Sequence, residues 1–265
     1  MKKVTAPSLK EMKERGEKIV ALTAYDYIFA SILDEAGIDV ILIGDSGAMV
    51  FSGHETTLPI TMEEMLYHVK AVHRGTKRAL LVADMPFLSY QINPDQAIEN
   101  AGRFLKEGNA ESVKVEGGEH IAETIRRMVQ VGIPVMGHLG LTPQSIHNFG
   151  GYGVRGGNAV EAQSLVEDAM ILEQAGVFSM VLEKIPTELA KKITEKVSVP
   201  TIGIGAGKYC DGQVLVTHDM IGLFEKFKPK FVRRYAELGK EIRTACKRFT
   251  DDVKERKFPD AIESF

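Results

Sequence analysis

Four short hydrophobic runs of this chain end on a carboxylate. "VILIGDS" stops at Asp45, "ALLVADMP" at Asp84, "SVKVEGG" at Glu116 and "SMVLEKI" at Glu183. The runs are continuously apolar and rich in β-branched residues. Strands buried on both faces of a parallel sheet read this way, whereas a half-exposed strand alternates. Runs of the same kind complete the series: "KIVALTAYD" before them, "IPVMGHLGL" among them, "VPTIGIGAG" after them, and a weaker eighth, "GQVLVTHDM".

Amphipathic helices with legible starts separate the runs. In "TMEEMLYHVKAV", Thr61 is the expected N-cap with Glu64 three residues on, and Met62, Met65, Leu66, Val69 and Val72 share one face. In "NPDQAIENAGRFLKEG", Asn93 is the expected cap, Pro94 fills the first turn, Gln96 closes a capping box and Gly108 is the stop. "SLKEMKERG" adds a helix before the first strand. Eight β–α units fit a chain of 265 residues, because a (β/α)8 TIM barrel takes about 250. The fold expected is therefore α/β, a TIM barrel with an extra N-terminal helix. An open doubly wound sheet is the alternative, since alternation does not itself show closure. No Pro/Ser-rich linker interrupts the pattern, so residues 1–265 are expected to form one barrel domain.

Charge and composition exclude several partners. A net charge of −3 gives no global attraction to nucleic acid or to an anionic membrane. No apolar run approaches the roughly 18–20 residues that span a bilayer. The N-terminal lysines are not followed by an apolar segment, so no secretory signal is expected. The two cysteines, Cys210 and Cys246, lack metal-ligand spacing, and a reduced, cytoplasmic protein is the expectation. The basic C-terminal stretch places Phe231, Tyr235, Leu238, Ile242, Ala245, Phe249 and Val253 at helical spacing with acids interleaved, which reads as a solvated helix rather than a nucleic-acid patch.

In a parallel barrel the C-terminal strand ends share one mouth, so Asp45, Asp84, Glu116 and Glu183 converge there. Carboxylates held close together repel unless protonated or neutralised. A hard divalent cation with oxygen ligands does this, and Mg2+ needs only a few carboxylates. The bland alternative is that each acid caps the helix after its strand. Ser46 can donate its hydroxyl to an anionic substrate or cap a helix. Lys114 lies two residues before Glu116 and so points to the same side of the strand. A buried lysine there needs the acids, or a substrate carboxylate, as a partner. His138 ends the fifth strand as a core or a catalytic histidine. His54, His68, His73, His120, His147 and His218 show no metal spacing. "GIGAG" lacks a dinucleotide-site context, and "NFGGYGVRGGN" reads as a mobile loop near the mouth.

Taken in order, "ALTAYDY", "IGDSGAMVFSGHETTLPITMEEM", "VADMPFLSY", "VKVEGG", "MGHLGLTPQS", "GGYGVRG", "LEKIP", "TIGIGAGKYCDGQVLV" and "PKFVRRYAEL" resemble the ketopantoate hydroxymethyltransferase (3-methyl-2-oxobutanoate hydroxymethyltransferase) family over nearly the whole chain. The resemblance implies one Mg2+ per subunit, bound by Asp45 and Asp84 with Glu116 completing the site. It implies 2-oxoacid contacts from Asp45, Ser46, Asp84 and Lys114, and Glu183 as the proton acceptor. It implies transfer of a hydroxymethyl group from 5,10-methylenetetrahydrofolate to 3-methyl-2-oxobutanoate through an enolate, giving ketopantoate for pantothenate and coenzyme A synthesis. A homodecamer is implied as well. The loop "GGYGVRGG" departs from the commoner "GGYKVQG" at Gly153 and Arg155, so its contacts are expected to differ. Two rivals remain at this point: a Mg2+-dependent 2-oxoacid aldolase or lyase that needs no folate, and a binding module with a structural metal.

Overall fold

The computed structural model describes residues 2–265. The chain divides into two compact units, Met1–Leu215 and Val216–Phe265. The first unit runs α1 (Ala6–Glu14), β1 (Ile19–Thr23), α2 (Tyr27–Glu35), β2 (Val40–Ile43), α3 (Gly47–Val50), α4 (Met62–Gly75), β3 (Leu80–Asp84), α5 (Pro94–Lys106), β4 (Ser112–Glu116), α6 (Ala122–Gln130), β5 (Val135–Gly140), α7 (Ile146–Phe149), α8 (Ala159–Ala175), β6 (Ser179–Glu183), α9 (Thr187–Lys196), β7 (Thr201–Ile204) and β8 (Gly212–Leu215). Every strand pairs in parallel with its sequence neighbours, and β8 closes on β1. The alternative of an open sheet is thereby removed. The extra N-terminal helix is present.

The run of apolar residues into an acid has a simple cause. Alternate residues of a strand share a face, so β3 turns Leu80, Val82 and Asp84 the same way, and β6 turns Val181 and Glu183 together. Leu80, Val82 and Val181 belong to a buried cluster with Ile19, Ala21, Val40, Leu42, Met136, Ile202 and Val214. This cluster fills the barrel below its C-terminal mouth. Helix α1 closes the other end. Its Leu9 is fully buried in the same cluster, a burial that stabilises by about 1.5–3 kcal/mol. Lys13 of α1 donates to the carbonyls of Thr194, Val197 and Val199 at 3.0, 3.0 and 2.9 Å and pairs with Asp211 at 2.9 Å. The barrel is therefore plugged at the strand starts.

Helix boundaries follow cap chemistry. Thr61 and Glu64 form the reciprocal capping box. Asn93 caps α5 by accepting from Gln96 N–H at 2.9 Å. Gln96 does not close a box, however, because its buried Oε1 finds no hydrogen-bond partner. Gly108 stands at the stop of α5, which ends at Lys106 with Glu107 as its C-cap, but the positive φ, 56°, falls on Asn109, and a Cβ on Gly108 would sit 2.5 Å from Val69. Close packing against α4 is what requires glycine there.

The second unit holds a short helix, α10 (Thr217–Met220), and the long α11 (Leu238–Lys254). Backbone bonds tie the two together, from Tyr235 N to Met220 O at 2.8 Å and from Leu238 N to Ile221 O at 3.0 Å. Phe231 and Tyr235 precede α11 rather than extending it. After the half-buried Leu238 and the buried Gly239 the helix is exposed along its length.

Candidate active site at the barrel mouth

Strand register assembles the site. Asp84 of β3 is the Cα partner of Lys114 in β4, and Glu116 of β4 is the partner of His138 in β5. Lys114 Nζ lies 2.8 Å from Asp84 Oδ1, 3.6 Å from Glu116 Oε1 and 3.1 Å from His138 Nδ1. His138 continues the chain of contacts, with Nδ1 at 3.3 Å from Glu116 Oε1 and Nε2 at 3.3 Å from Glu183 Oε2. Asp45 sits two residues past the end of β2, where its N–H donates to Asp84 Oδ2 at 3.1 Å. Asp45, Asp84, Lys114, Glu116 and His138 are all buried, and only Glu183 is partly open. The structure thus brings together every charged residue singled out in the sequence.

Ser46 joins them from the side. Its hydroxyl makes no helix-capping bond and instead meets Tyr25 OH at 2.8 Å, which disposes of the capping alternative. His68 braces this corner by bonding Tyr25 O at 2.7 Å. The other sequence histidines take no part.

Burial and crowding set the charge states. Burial, then the charges of Asp84 and Glu116, push the Asp45 carboxyl well above its usual range. Asp84 is raised by burial although Lys114 opposes it. For Glu116 burial also works upward, but Lys114, His138 and the Gln144 N–H outweigh it and lower the carboxyl. Burial works to lower Lys114, but the three acids around it hold its ammonium charged above the usual range. Burial and the neighbouring lysine work to lower His138, yet Glu116 and Glu183 carry it up to about 9. A lysine can only donate. When His138 is neutral, Nδ1 accepts from Lys114 and the ring proton sits on Nε2; when it is charged, both nitrogens carry one. Either way Nε2 carries a proton 3.3 Å from Glu183 Oε2, within ion-pair range but not aligned as a hydrogen bond.

The residues able to hold a hard cation are Asp45, Asp84 and Glu116. Among the described residues no three His, Cys, Asp or Glu side chains stand together as a ready-made metal cage; Asp45 and Asp84 adjoin, while Lys114 stands between Asp84 and Glu116. Asp84 Oδ1 and Glu116 Oε1 are nevertheless buried without an aligned hydrogen-bond donor. These two oxygens are ion-paired but not hydrogen-bonded, and Asp45 and Asp84 beside them resist ionising together. Such a donor set fits a dication that uses one or two carboxylates and leaves its other positions to water and substrate.

Three polar residues of the site lie within the family-like motifs but have no charge or spacing that marks them as functional. Gln144, in the turn Pro143–Ser145 after β5, donates from Nε2 to Asp45 Oδ2 at 3.1 Å and from its backbone to Glu116 Oε2 at 3.0 Å. Tyr90 OH accepts from Glu116 N at 3.0 Å and donates to Gln144 Oε1 at 2.8 Å. Tyr25 is the third. Only the rule that residues just past a barrel strand belong to the mouth would have pointed at Gln144.

The loop after α7 lies against β6. Lys184 Nζ donates to Tyr152 O, and Arg155 N donates to Lys184 O at 3.0 Å. The Arg155 guanidinium stacks 3.9 Å over Phe149 and pairs with Glu161. The departure at Arg155 therefore anchors the loop. Burial, then the charges of Asp45 and Glu183, raise the Tyr152 phenol.

A sequence model of ketopantoate hydroxymethyltransferase matches residues 3–261. The chain belongs to the ketopantoate hydroxymethyltransferase family. Its relatives include the 3-methyl-2-oxobutanoate hydroxymethyltransferase of Syntrophus aciditrophicus (strain SB), 54% identical over 264 residues that cover 100% of this chain and 97% of the relative. This family member also shares its fold with more distant enzymes. One is 2,3-dimethylmalate lyase of the PEP mutase/isocitrate lyase superfamily, at TM-score 0.61 and 16% identity over 98% of this chain and 91% of the other. Another is phosphonopyruvate hydrolase in complex with oxalate and Mg2+, at TM-score 0.63 and 12% identity over 98% of this chain and 93% of that one.

Proposed function

We propose that this enzyme transfers a hydroxymethyl group from 5,10-methylenetetrahydrofolate to 3-methyl-2-oxobutanoate, giving ketopantoate for pantothenate and coenzyme A synthesis. The observation that carries the reading is the unbroken line of contacts from Asp84 through Lys114, Glu116 and His138 to Glu183. It sets an anion-binding cation at one end and a carboxylate open to the mouth at the other. Asp45 and Asp84, with Glu116 beside them, would hold Mg2+, which would supply Lewis acidity toward a 2-oxoacid and neutralise the crowded acids.

Lys114 and the Ser46 hydroxyl bind the substrate's oxygens. Glu183, steered by the His138 Nε2–H, takes the C3 proton, and the C–H electron pair enters the enolate. The enolate carbon then bonds to the one-carbon unit as one of its two C–N bonds to the folate breaks. Water breaks the other and supplies the hydroxyl, the Glu183 proton and the second proton of the water pass to the folate nitrogens, and tetrahydrofolate leaves. By family resemblance we further propose a homodecamer working in the cytoplasm. No helix among the described residues is long and apolar enough to cross a membrane.

The half-reaction isolates the base. In D2O with Mg2+ and without folate, the protein exchanges the C3 proton of 3-methyl-2-oxobutanoate, followed by NMR. Glu183→Gln slows that exchange by about 10²–10⁴-fold, the range of a positioned base. A rate within about threefold of wild type, far short of that range, would remove Glu183 from the role. Product formation without folate would instead support an aldolase or lyase.

A further inference from the structure

Asp45 follows β2 and Glu116 ends β4; what their arrangement means for a metal rests on the metal-dependent reading above. Gln144 bonds both. Its side-chain amide is fully used: Nε2 donates to Asp45 Oδ2 at 3.1 Å and to Met85 O at 2.9 Å, while Oε1 accepts from Tyr90 OH at 2.8 Å and Gln91 Nε2 at 2.9 Å. The backbone N–H holds Glu116 Oε2 at 3.0 Å. The side chain is 6% exposed, so no solvent replaces a bond that is lost.

The neighbours favour this orientation of the amide. Rotating it by half a turn would set Oε1 against the Met85 carbonyl, which cannot donate, and against Asp45, which cannot donate once ionised. It would also set Nε2 against the Gln91 amide nitrogen, which cannot accept. Each error leaves a buried polar group unpaired. Gln91 and Tyr90 thus lock the amide, and the amide locks one oxygen of Asp45.

We infer that Gln144 is a positioning residue. Its amide and its backbone N–H hold Asp45 and Glu116 pre-set for a divalent cation, so that the carboxylates need not be reorganised when the ion arrives. Groups that orient metal ligands in this way change metal affinity by about 10- to 100-fold when removed. They do so without touching the reacting atoms.

The test is a calorimetric titration of the full-length protein with Mg2+ alone, beside steady-state assays at varied Mg2+. Gln144→Met keeps the side chain's length and the backbone N–H but removes the amide. It weakens Mg2+ binding by about 10- to 100-fold and raises the Mg2+ needed for half-activation in parallel, with kcat recovering at saturating metal. A residue that served stability alone would lower the melting temperature and leave the affinity of the folded protein unchanged.

Gln91→Met, at a half-buried position, removes only the lock on Oε1. It lowers the affinity by about 2- to 10-fold, the worth of one hydrogen bond, and it decides the matter if Gln144→Met does not fold. Affinity within about twofold of wild type in folded Gln144→Met, short of the expected range, overturns the inference. So does an unchanged Gln91→Met should Gln144→Met fail to fold. A wild-type protein that takes up no Mg2+ overturns the proposed function along with it.

Discussion

Lys114→Met puts the electrostatics of the mouth to a quantitative test. The ammonium is 3% exposed and lies within 3.6 Å of two carboxylates and the His138 ring. Methionine fills nearly the same volume and removes only the charge. Breaking a buried ion pair from one side leaves uncompensated charge and costs about 3–5 kcal/mol. For a unit of this size that is a fall in melting temperature of roughly 6–20 °C.

The loss must depend on pH in a set direction. Without the lysine, the carboxyls of Asp84 and Glu116 move up. They are then ionised only at a penalty in the folded state, and the penalty grows as pH rises. The gap between wild type and variant therefore widens from about pH 5 to about pH 8. Mg2+ replaces the missing charge, so it stabilises the variant more than the wild type, whereas affinity for 3-methyl-2-oxobutanoate falls. Thermal unfolding by circular dichroism, with and without Mg2+ and across pH, checks each statement. A shift of less than about 2 °C, well below the range for a broken buried pair, or a gap that narrows on raising pH, refutes the argument.

Gly140→Ala tests the spacing between β5 and β6: at φ 94° an added Cβ would meet the Glu183 carbonyl oxygen at 2.2 Å, and the backbone conformation alone costs about 1–3 kcal/mol. Urea unfolding should show at least that loss together with slower C3 exchange, and an unaltered midpoint would mean the strands relax freely. In the second unit, burial lifts the Asp219 carboxyl to about 6 although Arg234 opposes it. A raised carboxyl penalises the folded state once ionised; the penalty is absent below the unfolded value of about 4 and complete above the folded one. Asp219→Asn should therefore stabilise at about pH 7.5 by at most about 3 kcal/mol, reduced by residual solvation, and change nothing at about pH 4. Equal effects at both pH values would point to a lost hydrogen bond instead.

The frame of the molecule was legible because its strands are continuous apolar runs and its helices carry caps. Even the weak "GQVLVTHDM" supplies a strand, β8, at Gly212–Leu215. The acids were legible for a related reason, since a charge closing an apolar strand can only lie at a strand end. The pairing of Lys114 with His138 was not, because register between β4 and β5 is set by the packing of the whole barrel rather than by either segment. Gln144 was hidden for a third reason. An uncharged amide in a turn looks like any solvated loop residue until the strand beneath it is placed. The box expected at Gln96 failed because its Oε1 is buried instead of meeting the Asn93 N–H, so tertiary burial overrode the local signal.

Strand β4 behaves like a reading frame in three dimensions. Val113 and Val115 go one way, Lys114 and Glu116 the other, and all four are buried. Deleting one codon within this strand would exchange the two sets, sending the lysine and the glutamate into the packing beneath the helices and two valines into the mouth. The core and the chemistry would be lost in the same event. Insertion or deletion is therefore closed to β4, while in the glycine-rich segment 150–157, which must satisfy no alternation, it would cost local contacts such as those of Tyr152 and Arg155 with Lys184.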